Sequence, residues 1–287
     1  MKGYRGRFAP SATGPLHLGS IFAALISFLD ARHHSGVWLV RIDDLDRFRC
    51  NSNHVKSILQ CLLSFGLNPD EPVNYQSERL NQYAEKFTKL ELSGQLYSCT
   101  CSRKSLPRSA YPGFCRSRKG LPLIPDASVR IDSQALTFHF EDSYQGKVQI
   151  EHPGDFIIKR RDGLISYQLA CAVDEQIDGI TQVIRGSDLL PSTIMQKFIA
   201  TEFAQTGPSY GHFPVLTDRS GRKFSKQSFA RPIDPNRPGL SFHKIAQLLL
   251  LSDSPKPSAP PTEWISYFLS LGNPARLIPK TYSLTAS

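Results

Sequence analysis

Near its N-terminus the chain has a stretch whose residue types could bind the phosphates of a nucleotide. Pro10, Gly14 and Pro15 force an irregular turn between a short apolar run and an apolar helical pattern. Gly19 has no Cβ, so a planar ligand could approach the backbone there, and the free N–H groups of the following helical turn attract phosphate. His17 lies in the same turn and could donate a hydrogen bond to a phosphate oxygen. A surface histidine in an ordinary strand–helix turn is the alternative, because short motifs often occur by chance.

A basic loop late in the chain is a second candidate for phosphate chemistry. Residues 218–227 contain Lys223 and Lys226 among arginine, serine and glycine residues. Such a run, taken alone, is more often a solvated charged loop. Lysines on a loop could instead bring positive charge to phosphates mainly in a transition state, where that charge accelerates the reaction. Both interpretations fit the loop when it is considered alone.

Three of the six cysteines lie close together in the sequence. Cys99 and Cys101 are separated by one residue, and Cys115 follows after thirteen more. Two thiolates at Cys-x-Cys spacing with a third beyond a turn fit tetrahedral zinc, but no histidine between Cys101 and Cys115 completes the site. Three free thiols without metal are the alternative. The other cysteines have apolar or helical neighbours that predict plain thiols, and they are Cys50, Cys61 and Cys171.

The elements that would position these residues begin with an alternating strand and helix pattern. A strand over 4–8, an apolar helix that ends near Gly36 and a β-rich run over 37–42 predict a parallel βαβ unit. Ligands bind at the carboxyl ends of the strands in such a sheet. A helix around 55–65, where apolar residues repeat every 3.6 positions, and another over 79–92 follow.

Short strands then replace the helical pattern. Strands near 129–131, 137–140 and 148–150 predict a mixed α/β insertion that begins at about residue 96. After it, the chain is expected to return to the main sheet at 157–159 and 165–169. The remaining expected elements are a strand over 181–186, a helix over 192–203, and two short helices near 242–251 and 263–271 with a Pro/Ser-rich linker between them.

The composition is that of a soluble globular protein with a basic surface. Hydrophobic residues make up 40% of the 287 residues and charged residues 21%. The net charge of +9 and the pI near 9.3 suit a polyanionic partner such as RNA, although basic enzymes without one are common. We see neither a signal peptide nor an apolar run of membrane-spanning length. The sequence therefore predicts a cytoplasmic protein with reduced cysteines and no membrane partner.

The two phosphate motifs, in this order and at this distance, resemble the paired signatures of class I aminoacyl-tRNA synthetases. The string Arg-Phe-Ala-Pro-Ser-Ala-Thr-Gly-Pro-Leu-His-Leu-Gly-Ser over 7–20 is similar to the signature of the glutamate branch, with 17–20 as its HIGH-type element. Ala12 and Ser20 depart from the usual residues. Lys-Phe-Ser-Lys-Gln over 223–227 resembles the KMSKS element. The resemblance implies an α/β fold: a Rossmann-like doubly wound parallel sheet with an inserted α/β zinc-containing subdomain and a short helical C-terminal tail.

The resemblance also implies a role for individual residues. His17, Gly19 and Lys226 would bind ATP, and His17, Lys226 and Lys223 would stabilise the transition state of glutamate adenylation, with Mg²⁺ on the phosphates. Tyr111 would be the fourth ligand of one zinc ion, beside Cys99, Cys101 and Cys115. The residues implied for glutamate binding are Arg7, Phe8, Ala9, Pro10, Ser11, Asp43, Tyr167 and Arg185.

Two of these glutamate-binding residues have plainer explanations. Asp43 stands where the family has a glutamate that faces the substrate ammonium; it is one methylene shorter, so a water could bridge the gap. A helix cap or a solvated turn is the alternative for Asp43, and a core position is the alternative for Tyr167. Two arginines that face one substrate, Arg7 and Arg185, would favour an acid over an amide.

The distribution of the motifs predicts the domain organisation. We expect a catalytic domain in two halves, 1–95 and 156–228, an inserted zinc-containing subdomain over 96–155, and a short helical region over 229–287. Only 60 residues follow Gln227, so no helical anticodon-binding body is expected.

With so few residues after the second motif, the sequence resembles the truncated paralogues of glutamyl-tRNA synthetase. Their members activate glutamate with ATP without needing tRNA, and transfer it to queuosine at the wobble position of tRNA(Asp). The partners implied are glutamate, ATP and the tRNA(Asp) anticodon loop, with the protein itself a monomer. There are two alternatives: a conventional enzyme that charges the 3′ end of a tRNA, and a non-catalytic RNA-binding relative.

Overall fold

The computed structural model describes residues 3–106, 111–133, 138–150, 154–217, 232–279 and 283–285. In chain order the strands and helices are β1 (Arg5–Phe8), α1 (Leu18–His33), β2 (Val37–Ile42), α2 (Ser52–Ser64), β3 (Asn74–Tyr75), α3 (Leu80–Leu92), β4 (Leu96–Cys99), β5 (Ser128–Ile131), β6 (Phe138–Asp142), β7 (Gly146–Ile150), β8 (Phe156–Lys159), α4 (Tyr167–Ile177), β9 (Gln182–Gly186), α5 (Leu190–Glu202), β10 (Ser209–Phe213), β11 (Val215–Thr217), α6 (Pro238–Leu248), α7 (Pro261–Ser270), α8 (Pro274–Leu277) and β12 (Ser283–Thr285).

The predicted parallel βαβ unit at the N-terminus is confirmed. β1 pairs in parallel with β2, and β2 with β3, while α1 crosses between the first two strands. Ten of the sixteen residues of α1 are buried, so the helix packs on the sheet on one side and beneath other helices on the other. Parallel strands joined by a buried helix place their carboxyl ends at one edge.

A second group of strands continues the sheet on the other side of β1. β9 pairs in parallel with β10, and β10 with β6. The N–H of Thr181, just before β9, donates to the carbonyl oxygen of Arg5 at 3.0 Å, so β9 runs beside β1. The carboxyl ends of β1 and β9 therefore come together.

The strands of the inserted region divide between two sheets. β6 and β7 form an antiparallel hairpin that extends the sheet of β9 and β10, whereas β4, β5 and β8 form a separate antiparallel sheet. The expectation that 157–159 returns to the main sheet is wrong, because β8 pairs with β5. The expectation for 165–169 is also wrong: Ser166 caps the N-terminus of α4, accepting the N–H of Leu169.

The C-terminal helices cover the outer face of α1. Phe242 of α6 and Trp264 and Phe268 of α7 are buried in the same apolar cluster as the residues of α1. The two predicted helices are thus confirmed, with α6 beginning earlier than the apolar pattern indicated. Among the described residues, no helix has the length and apolar character that crossing a membrane requires.

Candidate active site

A cavity of about 420 Å³ lies where the carboxyl ends of β1 and β9 meet the N-terminus of α1. Such an edge between parallel strands is the usual ligand site of open α/β sheets. Almost all of the described residues that the sequence predicted for glutamate and ATP line this one cavity. They are Arg7, Phe8, Ala9, Pro10, Ser11, His17, Gly19, Tyr167 and Arg185.

The imidazole of His17 caps α1. Its Nδ1 accepts the N–H of Ser20 at 3.3 Å, and the backbone around His17 is extended. Because Nδ1 is the acceptor, the proton of the neutral ring is on Nε2, where it serves as a donor. This donor and the N-terminal turn of α1 lie at the cavity together, an arrangement that suits an anion.

Arg7 is held at the cavity by a buried carboxylate. Its Nε and Nη2 both donate to Oε1 of Glu175, at 3.0 and 2.9 Å, and Nη1 makes no hydrogen bond with any described residue. Burial alone would raise the pKa of Glu175, but Arg7 and Arg41 hold this pKa below its usual value. The ion pair therefore fixes the guanidinium and leaves one of its nitrogens for a ligand.

Asp43 is placed differently from the other predicted pocket residues. Its backbone forms a bridge with Ser11, and its Oδ1 accepts a hydrogen bond from Nε of Arg41 at 2.8 Å. It is absent from the lining of the 420 Å³ cavity. Burial raises the pKa of Asp43 to about 6, against the opposing effect of Arg41. The ammonium contact of Asp43 stays a prediction.

Arg185 has only neutral partners among the described residues. Its Nη1 donates to Oε1 of Gln196 at 2.9 Å, and Nη2 donates to Oγ1 of Thr193 at 2.7 Å and to the carbonyl oxygen of Leu189 at 3.3 Å. Nε donates to Nε2 of His212 at 3.3 Å. No carboxylate of the described residues forms an ion pair with it, so its charge remains available to an anionic ligand.

A buried aspartate, Asp142, determines which ring nitrogen of His212 carries the proton. Oδ2 of Asp142 lies 2.5 Å from Nδ1 of His212, and Oδ1 accepts the backbone N–H groups of His212, Tyr144 and Gln145. Burial and the charge of Arg185 lower the pKa of His212 below its usual value. The ring is therefore neutral with its proton on Nδ1, and Nε2 faces both the hydroxyl of Thr193, at 2.9 Å, and Nε of Arg185, at 3.3 Å.

The predicted metal ligands form a buried cluster between β4 and the loop that follows. The Sγ atoms of Cys99, Cys101 and Cys115 lie within 4.8 Å of one another, and those of Cys101 and Cys115 are 3.6 Å apart. Two thiolates on tetrahedral zinc, at Zn–S distances of about 2.3 Å, lie about 3.8 Å apart. The hydroxyl oxygen of Tyr111 is 3.5 Å from Sγ of Cys99 and 3.9 Å from Sγ of Cys101.

The chemistry of this cluster also fits a metal. Burial would raise the pKa of the Cys99 thiol, but hydrogen bonds from Tyr111 and Arg130 lower it to about 7. The guanidinium of Arg130 stacks over the ring of Tyr111 at 3.8 Å from its centre. Three sulfur atoms and one phenol oxygen around a common point thus form a donor set that zinc accepts. The predicted Lys223 and Lys226 lie outside the described residues.

Several residues that shape the site are missing from the sequence prediction. Asp174 and Glu175 follow an apolar run in α4, which is unusual for two acids, since buried charges need partners. That pattern was the one available signal for them. Asp174 accepts hydrogen bonds from Gln76, Arg79 and Tyr83. Asp142, Thr193, Gln196 and His212 gave no comparable signal.

Comparisons with known proteins agree with this arrangement. The family model "tRNA synthetases class I (E and Q), catalytic domain" matches residues 4–110 and 125–234. A protein of Methylococcus capsulatus named glutamyl-Q tRNA(Asp) synthetase is 40% identical over 282 residues, which cover 96% of this chain and 93% of that protein. The protein of the same name from Cupriavidus metallidurans is 45% identical over 251 residues, 82% of this chain and 81% of that protein.

Solved structures show the same fold. The crystal structure of a glutamate tRNA ligase from Elizabethkingia meningosepticum, in complex with its amino acid, superimposes with a TM-score of 0.79 at 23% sequence identity. The match covers 100% of this chain and 67% of that one. The chain therefore belongs to the class I tRNA synthetases for glutamate and glutamine and, within them, to the family of the glutamyl-Q tRNA(Asp) synthetases.

Proposed function

We propose that this protein activates glutamate with ATP and transfers the glutamyl group to queuosine at the wobble position of tRNA(Asp). The observation that carries the proposal is the single cavity in which Arg7, Tyr167 and Arg185 meet the N-terminal turn of α1. Relatives that align over most of the chain bear the name of that activity. An amino-acid site beside an anion site is what the activation of a carboxylate requires.

Glutamate recognition would depend on the two arginines. Among the residues that the structure describes, Nη1 of Arg7 has no hydrogen-bond partner, and every hydrogen-bond partner of Arg185 is neutral. A carboxylate side chain would neutralise the positive charge of Arg185, whereas an amide would leave this buried cation without a counter-ion. Glutamate is therefore expected to react, and glutamine is not.

Activation would proceed by direct attack. An oxygen of the glutamate α-carboxylate forms a bond to the α-phosphorus of ATP, the bond to the bridging oxygen breaks, and pyrophosphate leaves with the electron pair. His17 would donate to a phosphate oxygen, and Lys223 and Lys226 would offset the charge of the leaving group. Mg²⁺ would arrive with ATP as part of the substrate. The reaction needs no protein nucleophile.

A zinc ion is proposed at Cys99, Cys101, Tyr111 and Cys115. The positions of the three sulfur atoms and of the phenol oxygen support it. Its role would be structural, because four protein ligands leave no open position for a substrate. The ion would join the loop that contains Cys115 to the end of β4.

The test of activation is ATP–pyrophosphate exchange with glutamate and with glutamine, in the absence of RNA. We expect exchange with glutamate only. Exchange with neither amino acid would contradict the proposal. Exchange with both would show that Arg185 does not discriminate between glutamate and glutamine. The transfer step is then tested with tRNA(Asp); glutamate on the 3′ ribose would indicate a conventional charging enzyme.

A further inference from the structure

A cavity of about 610 Å³, which we call the rear cavity, opens at the opposite end of the strands from the 420 Å³ cavity. Its mouth is formed by residues 179–181, which lead into β9, and by residues 204–209, which lead into β10. Its sides are formed by α4 and α5, which contribute Glu175 and Gln196. The rear cavity therefore reaches the side chains that hold Arg7 and Arg185.

Three buried polar side chains form the inner wall of the rear cavity. Glu175 accepts from Arg7, and Gln196 accepts from Nη1 of Arg185 at 2.9 Å. The third is Tyr210, whose ring centre lies 5.2 Å from the guanidinium carbon of Arg185. Tyr210 is 2% exposed, and its hydroxyl makes no hydrogen bond with any described residue. Because a buried hydroxyl without a partner is costly, the rear cavity is expected to supply one.

The charge around the rear cavity favours a cation. Of the described residues that line it, Glu175 alone is charged, and Arg7 and Arg41 hold its pKa below the usual value, so it is ionised. The C-terminal ends of α4 and α5, which carry partial negative charge, also lie at the cavity. Neither helix has a basic residue in its last turn, although Arg5 of β1 donates to the carbonyl oxygen of Asp178 at the end of α4.

The remaining polar groups of the rear cavity can accept hydrogen bonds from such a cation. They are hydroxyl and amide side chains near its mouth, and they belong to Gln176, Thr181, Gln205, Thr206 and Ser209. We propose that the rear cavity binds a small primary ammonium compound, with its charge near Glu175 and an N–H donated to Tyr210, and that this ligand strengthens the binding of glutamate. The coupling to glutamate rests on the function proposed above.

The sign of this coupling follows from the charge of Arg185. No carboxylate of the described residues pairs with Arg185, so its charge opposes a cation beside Tyr210. A substrate carboxylate on Arg185 would neutralise that charge, and the ammonium compound would then bind more tightly. Because coupling between two binding equilibria is reciprocal, the ammonium compound must raise the affinity for glutamate by the same factor.

Calorimetric titration of the full chain, without ATP or RNA, tests the site. Propylammonium chloride is the probe, and tetramethylammonium chloride is the control, since it has the same charge but no N–H donor. Each salt is titrated into the protein with and without glutamate, and glutamate is titrated with and without each salt. We expect propylammonium to bind and to lower the Kd for glutamate at least about fivefold, and tetramethylammonium to do neither.

Two variants test whether the effect arises in the rear cavity. Tyr210→Phe keeps the ring but removes the hydroxyl, and should weaken propylammonium binding several-fold. Ser209→Lys places an ammonium group of the chain itself at the exposed mouth, and should lower the Kd for glutamate without added amine. Thr201→Lys is the matched control, because Thr201 is an exposed residue of α5 that does not line the cavity.

The inference would be overturned if propylammonium did not bind to the glutamate-bound protein, or if the two salts had equal effects. Unchanged propylammonium affinity in Tyr210→Phe, or equal affinities of Ser209→Lys and Thr201→Lys for glutamate, would also overturn it. Wild-type protein that binds propylammonium but not glutamate would instead overturn the proposed function.

Discussion

The two arginines of the 420 Å³ cavity, Arg7 and Arg185, differ in how their charge is balanced. Arg7 shares a buried ion pair with Glu175, and the two nitrogens that make it are fixed at 3.0 and 2.9 Å. Arg185 is bound only by uncharged acceptors among the described residues. Because a buried cation without a paired carboxylate is costly, a substrate carboxylate would gain most at Arg185. We therefore predict that the choice of amino acid depends on Arg185.

Replacing Arg185 with lysine tests this assignment. Arg185→Lys keeps the charge but loses the planar fork that contacts Gln196, Thr193 and a carboxylate together. The KM for glutamate in pyrophosphate exchange is expected to rise about tenfold or more, which corresponds to roughly 1.4 kcal/mol. Arg32→Lys is the control, since Arg32 forms a partly exposed pair with Asp70 far from the cavity. An unchanged KM for Arg185→Lys would show that another group holds the carboxylate.

Burial of His212 is expected to make the stability of the fold depend on pH. Its pKa in the folded protein lies below the ordinary value of about 6.5, because of burial and Arg185. Asp142, which accepts from Nδ1, and Asp188 both act to raise this pKa, but burial and Arg185, which donates to Nε2, outweigh them. Below about pH 6.5 the unfolded chain takes up a proton that folded His212 does not, so stability is present above that pH and is lost as the pH falls.

We therefore predict that His212→Asn reduces the difference in unfolding free energy between pH 7.5 and pH 5.5. A histidine that stays unprotonated in the folded protein contributes at most about 1.4 kcal/mol over that range, given an unfolded pKa of about 6.5. Urea unfolding at the two pH values measures it, with His139→Asn on the exposed face of β6 as control. The variant should also raise the KM for glutamate, because Arg185 loses an acceptor. The same pH difference in wild type and variant would be evidence against a neutral His212.

At the scale of elements, the inserted region has two separate tasks. Its hairpin of β6 and β7 extends the catalytic sheet and supplies Asp142, which orients His212 on β10. Its cysteine cluster lies at the end of β4, in the separate antiparallel sheet of β4, β5 and β8. Loss of the cluster should therefore change a cavity of about 490 Å³ that Tyr111 and Arg130 line more than the 420 Å³ cavity that contains Arg7 and Arg185.

Cys101→Ser tests the proposed zinc site. Fresh wild-type protein is expected to contain about one zinc ion per chain by elemental analysis, and the variant less. Transfer to RNA should fall more than glutamate activation, because the ligands stabilise the insertion. Cys50→Ser is the control, as Cys50 lies outside the cluster. Wild-type protein without metal, fully active after treatment with a chelator, would remove the zinc assignment.

The C-terminal helices are expected to be part of the catalytic core. Trp264 is fully buried and packs against Phe242 and Phe268 in the cluster that includes α1. Trp264→Ala should lower the free energy of unfolding by about 3–5 kcal/mol, through lost contacts and a cavity. Leu269→Ala, at a position on α7 that is 40% exposed, is the control. Equal, small effects of the two variants in denaturant unfolding would show that α7 is not packed on α1 in solution.

For the whole molecule, local patterns in the sequence predicted more than distant pairings did. The βαβ unit was predictable because each of its elements has its own periodicity within a few residues. The pairing of β8 with β5 and of β6 with β10 was not, since strand register depends on contacts far apart in the chain. The same holds for the site: Arg7 was found from a motif, but its partner Glu175 lies 168 positions away.

If this one chain both activates glutamate and esterifies a modified base, the glutamyl group must end on the anticodon of the tRNA and not on its 3′ end. Purified protein is incubated with ATP, labelled glutamate and two preparations of tRNA(Asp), one with queuosine and one with unmodified guanosine at that position. The label is then located by cleavage of the RNA. We expect label on the anticodon fragment of the queuosine-containing tRNA and none on the other preparation. Equal labelling of both preparations, or label on the 3′ terminal fragment, would contradict it.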